Sequence, residues 1–178
     1  MKQFLLKWIN QQLCNLVPGA KVYGVARPAK RGTEILPVTF ENEKEFYVGI
    51  DGKETLQVYH KEISTSTTQE TIGTYGDDIF NEVNTYQMAM IIFFDEKRLR
   101  IDADQLYIQI QRKISGGLKI AGIKTARISV VSMITDDARI YQQEYNSDTF
   151  RLTVGQRLIQ VNYNMRVVFN KNCIPECI

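Results

Sequence analysis

Apolar positions in the first sixteen residues recur at three- and four-residue intervals. Phe4, Leu5, Trp8, Ile9, Leu13 and Leu16 share one helical face, with Lys7, Gln11 and Asn15 turned away from it. Pro18-Gly19 stops this helix. From Lys21 to His60 the period shortens towards two. Val22-Tyr23-Gly24-Val25 opens a sheet, and the spacing predicts a hairpin around Asp51-Gly52, with Phe46, Val48 and Ile50 on one arm and Leu56, Val58 and His60 on the other. Between these strands, residues 26–37 read as a basic loop carrying Arg27, Lys30 and Arg31.

Residues 62–78 combine a Ser/Thr run with Gly73 and Gly76 and few core formers. Loops longer than ~12–15 residues are uncommon inside compact domains. The segment is therefore either a functional or untethered surface loop, or two arms of a long hairpin, since Thr favours strands. Tyr86, Met88, Met90, Ile92 and Phe94 alternate with partners that are themselves largely apolar, as in a central strand. Asp102 followed by Gln105 forms a capping box for a second helix whose inner face is Leu106, Ile110 and Ile114. Residues 126–134 form another strand, ended by Asp136-Asp137. Ile159, Val161, Tyr163, Met165, Val167 and Phe169 then oppose Gln160, Asn162, Asn164 and Arg166 in a half-buried antiparallel strand. The expected fold is a single α+β domain over residues 1–170, with a mixed, mainly antiparallel sheet, an N-terminal helix, a second packed helix, a projecting loop or hairpin at 62–78, and a tail at 171–178.

At 178 residues and 20.5 kDa the chain has the size of one domain. Twenty-two Lys and Arg against twenty Asp and Glu leave a net charge of +2, too small to select a nucleic acid or membrane partner. The N-terminus lacks the continuous apolar centre of a secretory signal, and no window has the ~18–20 apolar residues of a membrane span. The expected location is the cytoplasm, or release by a route other than secretion. Cys14, Cys173 and Cys177 are odd in number, so a disulfide framework is not expected. Cys14 reads as a packed helix residue, and the CIPEC ending lacks the two-residue spacing of redox and zinc motifs.

Familiar phosphate-loop, metal-helix, nucleophile-elbow and dinucleotide signatures are absent from the sequence. His60 is its only histidine, which excludes a site of two or more histidines within one chain. Its two readings are a structural histidine and a base in a pocket with nearby carboxylates. A Cys14 nucleophile paired with His60 requires Cys14 to be presented, against its expected packing. Acidic pairs at Asp77-Asp78, Asp95-Glu96, Asp102/Asp104 and Asp136-Asp137 fall at element boundaries, where Asp caps helices and closes turns. Lys97 to Arg100 is a second basic segment, without the clustered footprint of a nucleic-acid reader. No catalytic, cofactor or metal residue is assigned.

The order of an amphipathic N-terminal helix, a strand-rich stretch with a long polar excursion, a buried strand at 85–94, a capped helix and two strong strands resembles the tail terminator or tail-completion proteins of tailed bacteriophages and related head-to-tail connector ring proteins. The resemblance is one of architecture over about residues 1–170 and includes no diagnostic motif. It implies a non-enzymatic virion protein, assembled in the host cytoplasm, that forms a homo-oligomeric ring. Such a ring joins the connector to the tail, contacts other neck or tail proteins, lines the DNA channel with non-specific contact to DNA, and uses no membrane or cofactor. On that resemblance, Ser64, Thr65, Thr68, Thr71 and Tyr75 of the excursion and Gln160, Asn162, Asn164 and Arg166 of the last strand are subunit-contact or lumen residues. Two other classes remain open: a small α/β enzyme or ligand-binding domain using His60, and a cytoplasmic adaptor domain.

Overall fold

A computed structural model describes residues 1–32, 34–41, 44–50, 52–72, 79–145 and 152–170. They form one α+β domain. Among the described residues the elements are α1 (Lys2–Leu16), β1 (Lys21–Arg31), β2 (Glu34–Glu41), β3 (Lys44–Tyr47), β4 (Leu56–Ile72), β5 (Ile79–Asp95), α2 (Glu96–Leu99), α3 (Ala103–Ile114), β6 (Gly116–Leu118), β7 (Thr125–Ile134), α4 (Asp137–Tyr145) and β8 (Gln156–Asn170). The sheet runs β3-β2-β1-β4-β5-β8-β7-β6. β1 and β4 pair in parallel, and the other neighbours are antiparallel.

Two apolar clusters separate three layers. On one face, Leu5, Leu6, Ile9 and Leu13 of α1 and Leu106, Ile110 and Ile114 of α3 pack with Val58, Met90, Ile92, Phe94, Val161 and Tyr163 of the sheet. On the other, Ile140 of α4 packs with Tyr59, Ile91, Phe93 and Leu158. Burying each aliphatic side chain contributes about 1.5–3 kcal/mol, so the α1/α3 face holds most of the core. The central strand β5 supplies both clusters, which explains why its sequence is apolar on both faces.

The N-terminal helix departs from its expected face in two places. Phe4 is 52% exposed while Leu6 is buried, so the buried stripe is rotated towards Leu5, Leu6, Ile9 and Leu13. Cys14 is exposed rather than packed, because one residue past the buried Leu13 is about 100° around the helix. The capping box of α3 is present: Asp102 accepts from the Gln105 amide at 2.8 Å and the Gln105 side chain accepts from the Asp102 amide at 3.2 Å. Asp102→Ala is expected to cost about 1 kcal/mol, read as a lowered urea midpoint at unchanged slope.

The strand-rich stretch also differs from its expectation. Residues expected as a basic loop are instead the β1–β2 hairpin, with Arg31 opposite Glu34 and Gly32 in the left-handed region at φ 65. Pro28 and Pro37 face each other in this ladder. The Pro37 carbonyl accepts from the Val48 amide at 2.8 Å, so its backbone polar groups point to the β3 side and the proline pair needs no donor between β1 and β2. The hairpin expected around Asp51-Gly52 does not form. β3 pairs with β2, because both edges of β4 at this level are already taken by β1 and β5.

Candidate interaction surface

β4 and β5 pair continuously from Leu56 opposite Phe94 to Ile72 opposite Ile79, so residues 62–72 are strand. Tyr75, Asp77-Asp78, Cys173 and Cys177 lie outside the described residues, as does the side chain of Thr71. One register shift governs the chemistry of this ladder. Between Glu62 and Ser64, Ile63 bulges out and is 55% exposed. The bulge moves Ser64, Ser66, Thr68 and Glu70 onto the same face as Lys61, the α4 side of the sheet. A second shift at Val131 does the same for β7.

Cross-strand rows follow from the register. Lys61, Ala89, Asn162 and Ser132 form one; Ser64, Gln87, Asn164 and Ser129 the next; Ser66, Thr85, Arg166 and Arg127 the next; then Thr68, Val83, Val168 and Thr125. The fold thus brings Ser64 and Thr68 onto one face with Gln160, Asn162, Asn164 and Arg166, whereas Thr65 lies on the opposite face. Side chains knit the rows: Ser64 donates to Gln87 at 2.9 Å, Gln160 to Asn162 at 2.8 Å, and Asn162 to Ser132 at 2.9 Å. Arg166 reaches across β5 to Glu70 at 2.6 Å, an exposed ion pair. On the opposite face Thr65 donates to Glu62 at 2.5 Å, and Lys2 of α1 binds the same carboxylate at 2.6 Å. The Lys2 hydrogen bond, followed by that of Thr65, holds the Glu62 carboxyl below its usual range.

His60 occupies a different environment. It is fully buried, with Nε2 at 2.6 Å from Asn10 Oδ1 and Nδ1 at 2.8 Å from the Tyr163 hydroxyl. The Asn10 amide nitrogen donates to the Tyr23 carbonyl at 3.2 Å, which fixes Oδ1 as the acceptor facing the ring. Nε2 therefore carries the proton, and Nδ1 accepts from Tyr163. Burial lowers the imidazole from its ordinary 6.5 to about 3, and burial likewise pushes the Tyr163 phenol well up. This is a neutral, satisfied network joining α1 to β1, β4 and β8, and both ring nitrogens are occupied.

Asp95, Asp102 and Asp136 each accept from helix-start amides, so three of the acidic boundary positions act as caps. Asp137 accepts from the Leu158 amide at 2.7 Å and pairs with Arg157. Lys97 and Arg98 fall within the short helix α2, where Arg98 also pairs with Asp95. Sequence reasoning placed Tyr163 on the apolar face of the last strand and gave Asn10 no role, whereas the two meet His60 from 103 and 50 residues away. Nor did it single out Glu144, which accepts from Tyr59 and Lys61 beneath α4. Among the described residues no helix is long and apolar enough to cross a membrane. No protein-family model and no curated protein matches the chain.

Proposed function

We propose that this chain is a non-enzymatic virion structural protein that forms a ring at the phage head-to-tail junction or tail end, joining connector to tail around the DNA channel. The observation that carries the reading is the long β4–β5–β8 ladder, in which residues 62–70 of β4 are exposed and the face of β8 turned away from α1 and α3 carries half-buried Gln160, Asn162 and Asn164 and exposed Arg166. A ring subunit needs extended side surfaces for heterologous contacts that close by rotation, and this ladder supplies one. The polar rows containing Ser64, Thr68, Asn164 and Arg166 are then subunit-contact or lumen positions. The alternative built on His60 as a base gains no support from the site, because the ring is sealed from solvent and hydrogen-bonded at both nitrogens.

Native mass spectrometry over a concentration series, with and without connector and tail proteins, tests the proposal. A closed ring, alone or on adding connector, is the expected result. A monomer that persists at high concentration and binds neither partner overturns it.

A further inference from the structure

We infer that the outer edge of β4 pairs with the same edge of a second copy of this chain, antiparallel and about a two-fold axis. β1 accompanies β4 only as far as Val25 opposite His60, then leaves it to pair with β2. Beyond that point nothing among the described residues pairs with the outer edge, and residues 62–70 are all exposed. The bare edge from Ile63 to Ile72 is about 30 Å long at the usual rise per strand residue. It offers a row of amides and carbonyls that no described residue pairs.

Proteins ordinarily blunt such edges with proline, lysine, bulges or short strands. The other free edges here are blunted. The distal half of β1 carries Pro28 with Arg27 and Lys30; β3 has four residues beginning at Lys44; β6 has three, two of them glycine. β7 beyond β6 is bulged at Val131, and its Val130 amide meets the Ser115 hydroxyl at 3.4 Å. The β4 edge has no proline or lysine from Glu62 to Ile72, and its bulge at Ile63 lies at the base of the free stretch.

Its own sequence identifies the occupant. Pairing two copies antiparallel about Thr67 sets Ser66 against Thr68 and Thr65 against Gln69, cross-strand combinations of hydroxyls and amides that hydrogen-bond. The same register keeps Glu70 away from both Glu62 and Glu70 of the other copy, whereas a parallel in-register pair places Glu70 beside Glu70. No other edge among the described residues offers a free stretch of comparable length without proline or lysine. The contact is isologous, so it closes on itself and is separate from the heterologous contacts of a ring.

Single-cysteine cross-linking tests the inference in a full-length background with Cys14, Cys173 and Cys177 replaced by Ser. A residue near the two-fold axis meets its own copy at disulfide distance, while residues two or three positions away lie about 14–20 Å from theirs. Thr67→Cys, or its neighbour Ser66→Cys, is expected to give a disulfide dimer under mild oxidation, with Ser64→Cys and Gln69→Cys staying monomeric. Equal cross-linking at all these positions, or at none, overturns the inference. In the cysteine-free protein, Ser66→Lys with Thr68→Lys is expected to weaken dimerisation at least tenfold. Both side chains are exposed, so unchanged circular dichroism will show that the fold is retained. An unchanged dimer in that variant also overturns the inference. Rings that assemble without the Thr67 or Ser66 cross-link remove this contact and leave the ring proposal standing. A cross-linked dimer that never forms rings with connector does the reverse.

Discussion

Stability is expected to fall more steeply with acid in the wild-type protein than in a His60→Gln variant, by roughly 1.4 kcal/mol for each pH unit below 6.5. The sign follows from where the proton goes. In the unfolded chain the imidazole takes a proton near its ordinary value of 6.5, whereas burial holds the folded group at about 3. Between those values the unfolded state binds more protons, so lowering pH favours unfolding. The contribution is complete above 6.5 and is lost as pH falls towards about 3, several kcal/mol in all. Protonation of Nδ1 would also turn the acceptor for Tyr163 into a second donor.

At neutral pH the wild-type protein is expected to be the more stable of the two. His60→Gln can still donate to Asn10 but leaves the buried Tyr163 hydroxyl without its acceptor, an expected cost of about 1–3 kcal/mol. The two stability curves are thus expected to approach each other as pH falls. Urea unfolding at a series of pH values, at one protein concentration, measures both arms. Parallel curves would show that the network does not keep His60 neutral. Tyr163→Phe separates the hydroxyl from the ring: it is expected to lower stability by a similar amount at neutral pH while keeping the steep acid limb.

The parts of this fold legible in the sequence are those whose pattern is strong within one element. The alternation through β8 and the doubly apolar run of β5 needed no partner to be read, and the Asp102 to Gln105 box places the start of α3 by itself. Failures came where a distant segment decides the outcome. Asp51-Gly52 has good turn chemistry, but both edges of β4 from Gln57 to His60 are taken by β1 and β5, so β3 goes to β2. The helix α4 is mostly polar; its buried residues are Ile140, Glu144 and Tyr145, too sparse a stripe to announce a helix. The Ile63 bulge left no local sign, yet it decides which Ser and Thr hydroxyls share a face with Arg166. Of the candidate surface, the composition of each strand could be read in advance, whereas the joining of two strands across β5 is a property of register.

Glu144→Ala is expected to destabilise the protein by about 2–3 kcal/mol and to loosen α4 before the rest of the domain. Glu144 is 8% exposed and accepts from the Tyr59 hydroxyl at 3.2 Å and from Lys61. Tyr59 is 3% exposed, and burial, reinforced by the neighbouring Tyr145 and Glu144, raises its phenol well above the ordinary value. Removing the carboxylate takes the charged acceptor from that buried hydroxyl and leaves the neighbouring Tyr145 hydroxyl as its remaining partner, which is the larger part of the cost. The ammonium of Lys61 is partly solvated, with its side chain 40% exposed, so loss of the ion pair adds less than a fully buried pair would. Glu144→Gln keeps an amide oxygen for Tyr59 and removes only the charge, so it is expected to cost less than about 1 kcal/mol. Hydrogen exchange locates the effect: faster exchange in Asp137–Tyr145 ahead of β5 and β8 is expected for Glu144→Ala, because the C-terminal half of α4 is held by Ile140, the stacked Tyr141–Tyr145 pair at 4.8 Å and the Glu144 contacts, while Asp137 ties only its start to Arg157 and Leu158 of β8. Equal losses in the Ala and Gln variants would mean that the charge, not the buried phenol, holds the helix. That outcome would place the anchor on Lys61, and Lys61→Met would then have to reproduce the whole effect.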